Sequence, residues 1–190
     1  MRKLTYLVAM SVDGFIAGPG GEFDMYPTPE PYLRYLCDEY PETLPTHARP
    51  HLGIADAPNK HFDTVIQGRV AYQPALDLGV TSPYAHLRQL VVSTTLSAAD
   101  PAVEVVSGDP VARVRELKAE DGLDIYLAGG ARLAGTLKAE IDEVIVKLYP
   151  IIIGTGVPMM SGEFDVAALE RTGDVTTFDS GHVILRYIRA

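Results

Sequence analysis

The chain has 190 residues, enough for one domain with a sizeable core, and its 47% hydrophobic and 22% charged content is ordinary for a globular protein. A formal net charge of −9 argues against nucleic acid as a main partner, because neutralising phosphates needs a basic surface. The lone cysteine excludes an intrachain disulfide. The apolar part of the N-terminal segment is too short to span a membrane and lacks a small-residue cleavage site, so a cytoplasmic location is expected.

Leu4–Met10 is an apolar run stopped by Asp13-Gly14 and reads as a central strand. Asp13 reads as a turn residue. The glycine-rich stretch from Ser11 to Asp24 reads as a loop, either plain surface or a ligand lid. Pro29–Tyr40 spaces Tyr32, Leu33, Leu36 and Tyr40 for a short amphipathic helix with proline near its first turn. Cys37 falls within it and reads as a structural thiol. Pro41 to Lys60 has prolines, polar breaks and no periodicity, so a long loop or insertion at about 41–60 is expected. His47, His51 and His61 lie in or beside it without the spacing of a helix-borne metal pair, and no metal site is expected.

Three later stretches share one logic. Thr64–Gln67 is a strand ended by Gly68, and a helix starts at Arg69, with Pro74 interrupting it. Leu90–Ser93 is a strand running out into the hydroxyls Ser93, Thr94 and Thr95. Ile125–Ala128 is a strand that meets Gly129-Gly130 and turns into a helix over Ala131–Ala139. Free N–H groups at a helix start, with the positive end of its dipole, suit phosphate. Taken singly, each junction is equally a tight packing turn or an exposed cap.

Val103–Val106 adds a short strand, Pro110–Glu120 a helix, and Ile141–Tyr149 a strand whose apolar run is broken by Lys147. Pro150 to Pro158 reads as an apolar inner loop. Thr172–Phe178 and His182–Ile188 read as a hairpin around Asp179-Ser180-Gly181. Strands alternating with helices and closing in a hairpin indicate an α/β fold: a mostly parallel central sheet, helices on both faces and an antiparallel edge, in a single domain over 1–190. Ligands in such sheets bind outside the carboxyl ends of the strands, where the three junctions fall.

These residues carry a family resemblance. Leu7–Ala17 (LVAMSVDGFIA), Gln67–Tyr72 (QGRVAY), Val91–Thr95 (VVSTT), Tyr126–Leu133 (YLAGGARL), and Asp142-Glu143 through Pro150–Gly156 follow one another over nearly the whole chain. In them the chain resembles the dihydrofolate-reductase-like superfamily, and within it proteins similar to the C-terminal reductase domain of the bifunctional riboflavin-biosynthesis protein. The resemblance implies NADPH as cofactor. Ala9 and Ile16 would flank the nicotinamide. Gly68, Arg69, Val70 and Ala71 would hold the pyrophosphate and ribose, with Ser93, Thr94 and Thr95 at the adenosine 2′-phosphate. Gly129 and Gly130, joined in relatives by a cis peptide, would approach the cofactor's phosphates, and Ala131, Arg132 and Leu133 would follow on the helix.

The implied activity is hydride transfer to a small pteridine- or aminopyrimidine-like heterocycle, or to a carbonyl or imine; the alternative is a nucleotide- or pterin-binding protein without turnover. Asp24 and Lys147 are the candidate proton donors. Val70 stands where the family commonly has threonine. Neither Glu30 nor Asp24 matches the helix-borne carboxylate of folate reduction, which is therefore not expected. The resemblance also implies a homodimer acting on a small molecule.

Overall fold

The computed structural model describes residues 1–97 and 100–190. In chain order they form β1 (Leu4–Ser11), β2 (Phe15–Ala17), α1 (Glu30–Glu39), β3 (Phe62–Gly68), α2 (Arg69–Asp77), β4 (Arg88–Val92), β5 (Val103–Val106) and α3 (Pro110–Ala119). There follow β6 (Asp124–Leu127), α4 (Ala131–Thr136), β7 (Glu143–Tyr149), β8 (Val157–Pro158), β9 (Leu169–Arg171), β10 (Thr176–Thr177) and β11 (Val183–Arg189). Nine strands make one sheet in the order β10-β11-β7-β1-β6-β3-β4-β5, with β9 also pairing with β11. The pairs from β7 to β5 are parallel, and β11 runs antiparallel to β7.

The central strands are apolar on both faces because both faces are covered. Leu4, Tyr6 and Val8 of β1 share one cluster with Ile66, Leu127, Val144 and Val146, beneath Val114 and Leu117 of α3 and Leu133 and Ala134 of α4. Leu7 points the other way, with Val65, Tyr126 and Ile145, beneath Tyr32 and Leu36 of α1. Tyr72 of α2 packs on Val91 and Val103 farther along that second face. The alternation matters for function: Ala9, Gln67, Ala128 and Lys147 share the α1 face but lie one or two residues beyond its cover.

Five local expectations need correction. The segment after β1 is not all loop, nor is Pro150–Pro158: β2 and β8 pair, Phe15 opposite Pro158 and Ala17 opposite Val157. Gly156 permits this, since a Cβ there would lie 2.2 Å from the Ala17 carbonyl oxygen. The helix after Gly129-Gly130 ends at Thr136, and Lys138–Glu140 is a separate 3₁₀ turn. The strand read over Thr172–Phe178 is reduced to Thr176–Thr177; Gly173, at φ +66, bends the chain, and Leu169–Arg171 pairs with the far end of β11. Pro74 does not interrupt α2, which continues through it to Asp77.

The 41–60 segment is built rather than loose. It holds 3₁₀ turns at Pro41–Thr43 and Arg49–Leu52. Glu42 is fully buried and accepts the His61 and Phe62 N–H groups at 2.6 and 3.0 Å. Arg49 is buried and donates to the Pro41 carbonyl at 2.7 Å. An aperiodic sequence hides such order because side chain–backbone bonds, not a repeating apolar face, hold it.

Asp13 does more than turn the chain. It accepts the Ser11 hydroxyl at 2.6 Å, the Gly154 N–H at 2.6 Å and the Ile153 N–H at 3.1 Å, tying the β1–β2 turn to the segment before β8. The Ser11 hydrogen bond, then those from Gly154 and Ile153, lower its carboxyl from 3.8 to about 2. A folded-state value below the unfolded one makes this contribution complete above the unfolded value and lost as pH falls from 3.8 towards 2. Asp13→Ala is expected to speed hydrogen exchange at Ile153 and Gly154 while sheet amides stay protected. Unchanged exchange at both would refute the tether.

Candidate functional site

The site begins where β3 and β6, parallel neighbours, both end in glycine. The Gly68 N–H donates to the Gly129 carbonyl at 3.0 Å, so the two junctions lie against each other. The N-caps of α2 and α4, Gly68 and Gly130, make no side-chain capping bond, which leaves first-turn N–H groups without side-chain partners. Gly129 has φ +104, and the Gly129–Gly130 peptide is cis, as the resemblance implied. A Cβ on either glycine would meet no atom within 4 Å, so both present bare backbone to open space. With six residues α4 is too short for its dipole to matter much; the nine-residue α2 is the longer of the pair.

That open space belongs to a cavity of about 480 Å³, within the range of small-molecule sites. Its floor is the sheet face beyond α1. Ala9 pairs with Lys147 in register, and Leu127 lies between Ile66 and Tyr6, so Gln67, Ala128 and Leu7 form the next row. The floor is thus small and flat at Ala9 and Ala128, with long polar side chains at its two ends. Gln67 on β3 and Lys147 on β7 are three strand spacings across the sheet and two residues along it apart, about 16 Å. Val70, Ala71, Pro74 and Leu78 of α2 form one wall, and Ile16, Ala17 and Val157 of the β2–β8 pair form another. Phe23, Pro45, His47, Tyr84 and Tyr126 complete it.

Among the described residues, Lys147 is the only lysine or arginine on this wall, and no aspartate or glutamate lines it. Lys147 is half-buried and lines the cavity. Desolvation, with no carboxylate to offset it, lowers its ammonium from 10.5 to about 8. Burial pushes the Tyr84 phenol up to about 12 and the Tyr126 phenol well above its ordinary value, so both stay protonated. The two rings meet edge to face, centroids 6.2 Å apart.

Of the residues expected from sequence, the cavity gathers Ala9, Ile16, Val70, Ala71, Gly129, Gly130 and Lys147. Gly68 sits just behind, its Cβ position 3.8 Å from the Gly130 nitrogen. Arg69 opens α2 and its guanidinium is engaged by Gln73. Ala131 and Leu133 are buried beneath α4, and Arg132 is exposed. Ser93 is buried and uses its hydroxyl to accept the Thr95 and Leu96 N–H groups at 3.2 and 2.9 Å, while Thr94 and Thr95 are exposed. None of these last residues lines the cavity. Asp24 is exposed and also off the wall; its neighbour Phe23 borders the cavity while remaining 59% exposed. Among the described residues no group of three or more His, Cys, Asp or Glu side chains gathers as a metal site.

The family model of the RibD C-terminal domain matches residues 2–184. The chain belongs to this family. It is 29% identical to the uncharacterized protein YwjB of Bacillus subtilis (strain 168) over 193 residues, covering all of this chain and 99% of that one. Among solved structures it is similar to a putative riboflavin biosynthesis protein from Shewanella sp. PV-4, with TM-score 0.71, 19% identity, and 100% and 99% of the two chains covered. It is also similar to dihydrofolate reductase from Enterococcus faecalis complexed with NADP(H) and RAB-propyl, with TM-score 0.66, 14% identity, and 98% and 96% covered. These likenesses establish a dihydrofolate-reductase-like fold. No helix among the described residues is long and apolar enough to cross a membrane.

In this RibD C-terminal domain the sequence assigns no site role to Gln67, His47, Tyr84 and Tyr126, though His47 reads as a loop histidine and Tyr126 stands inside the YLAGGARL motif. Gln67 carried the same signal as Lys147, a long polar side chain in an apolar strand, but it stood inside a motif read for its glycine. The other three come from segments distant in sequence that only the folded sheet brings together.

Proposed function

We propose that this RibD C-terminal domain is an NADPH-dependent reductase that delivers hydride to a small heterocycle, carbonyl or imine. The observation that carries the reading is the bare Gly129-Gly130 backbone, beside Gly68, opening directly onto a cavity that holds one unpaired lysine. The residues present fit the cofactor: a side chain at Gly130 would stand in the open space instead of against protein, and the uncapped start of α2 leaves N–H groups for a phosphate. Similarity to a dihydrofolate reductase complexed with NADP(H) supports the same assignment.

Gly68, Val70, Ala71, Gly129 and Gly130 would hold the cofactor, with Ala9 and Ile16 towards its nicotinamide end. NADPH bound there would supply the hydride. The alanine floor offers a flat apolar surface for a ring, between α2 and the β2–β8 pair. The Lys147 ammonium holds the proton that completes the reduction. At about 8 its acidity suits donation near neutral pH, and desolvation rather than an ion pair sets it there. Asp24, facing solvent, has no part in this scheme.

Titration of NADPH by its fluorescence, with NADH as control, tests the reading; micromolar NADPH binding is expected, and absence of binding at millimolar concentration would sink it. A second reading, a pterin- or nucleotide-binding protein without turnover, draws on Val70, which offers no hydroxyl to a phosphate, and on the internal engagement of Ser93. Tight NADPH binding without oxidation by pteridines, aminopyrimidine ribosides or quinones would select it.

A further inference from the structure

Gln67 is 3% exposed, lies on the cavity floor, and its Nε2 has no hydrogen-bond partner. A second buried glutamine on the adjacent strand provides the contrast. Gln89 accepts the Tyr84 N–H at 2.9 Å and donates to the Ser82 hydroxyl at 2.7 Å, so its carboxamide is fully used by the fold. Among the described residues the Gln67 Nε2 has no such partner. An orphaned buried amide lowers stability, and apolar replacements of its shape are better tolerated; such a group stands out as one kept for another purpose.

We propose that Gln67 is a specificity-determining residue that reads a lactam edge, an adjoining C=O and N–H, on a flat ring bound in this cavity. A carboxamide presents one acceptor and two donors in a plane, and a lactam presents the complementary pair. The shape of the cavity suits a ring, because Ala128 leaves the floor beside Gln67 open and the Tyr84 and Tyr126 rings border that end. Its charge selects among rings. The wall has no carboxylate to pair with a protonated aminopyrimidine, and Lys147 at the far end repels one, whereas an oxo-bearing neutral ring meets no such cost. The inference rests on the proposed function only in taking this cavity as the substrate site.

The test compares two probes by calorimetry on the full-length protein: quinazoline-2,4-dione, and its 1,3-dimethyl derivative, which keeps the ring but lacks the N–H groups. Wild-type protein is expected to prefer the unmethylated dione by about tenfold or more, the value of the ring N–H donated to the Gln67 carboxamide oxygen, since both probes keep the C=O that would accept from Nε2. In Gln67→Met the preference should collapse to near unity while the melting temperature in the absence of ligand holds or rises. Gln67→Leu, which removes both donor and acceptor, provides the same comparison should the Met variant not fold. Retention of the preference in the variants overturns the inference, as does equal loss of both probes or failure of wild-type protein to bind the dione at millimolar concentration. NADPH is titrated separately: lost dione preference with intact NADPH binding is a result about Gln67, and absent NADPH binding with intact dione binding counts against the reductase reading alone.

Discussion

Lys147→Met is expected to abolish turnover and, at the same time, to make the protein more stable at pH 7. The first effect follows from position. Lys147 is the lysine on a wall without carboxylates, and removing a general acid of this kind costs on the order of a hundredfold to ten-thousandfold in rate. The second follows from burial. The shift from 10.5 to about 8 weighs against the charged form by about 3 kcal/mol, less whatever hydration the open cavity returns. Methionine fills nearly the same space without that penalty.

The direction with pH is fixed by the same shift. Between about 8 and 10.5 the unfolded chain binds a proton that the folded one has released, so wild-type stability rises across that window and the gap to the variant narrows. Wild-type turnover should fall as pH rises through about 8 and the ammonium is lost. Of the other titratable wall groups, Tyr84 and Tyr126 are held protonated by burial, and His47 lies on the separate 41–60 segment. Thermal melts from pH 7 to 10 and a rate–pH profile make the check. A less stable variant that still turns over would defeat the assignment.

Lys147 also shows why part of the site could be read from sequence. A charge in the middle of an apolar strand violates the local pattern, and violations of that kind concentrate at functional sites. The sheet was legible for a related reason: Leu4–Met10, Thr64–Gln67 and Ile125–Ala128 are apolar on both faces, and glycine stops the last two. What escaped depends on contacts distant in sequence. Phe15–Ala17 and Val157–Pro158 are too short to carry a period and become strands only against each other. Tyr84 resembles any loop aromatic until β4 sets it over Tyr126. Asp24 was an attractive carboxylate by loop position, yet Phe23 rather than Asp24 borders the cavity, and Asp24 is left to solvent.

Gly130→Ala is expected to leave the fold intact and to weaken NADPH binding by about a hundredfold, the scale of a misplacement of about 1 Å at a tight site. Gly130 has φ −91 and ψ −173, extended backbone open to any residue, and no atom lies within 4 Å of the new methyl. The methyl therefore enters the space assigned to the cofactor and touches no protein. Gly129→Ala is the informative partner. Its Cβ is equally unobstructed, but its φ of +104 is one that side-chain-bearing residues avoid, at a cost of about 1–2 kcal/mol or more. The pair separates binding from folding: Gly129→Ala should lose both melting temperature and affinity, and Gly130→Ala affinity alone. Equal NADPH affinity in wild type and Gly130→Ala would mean that the bare backbone there faces no ligand. The glycine junction would then be a packing turn, and the reductase reading would lose the observation on which it chiefly stands.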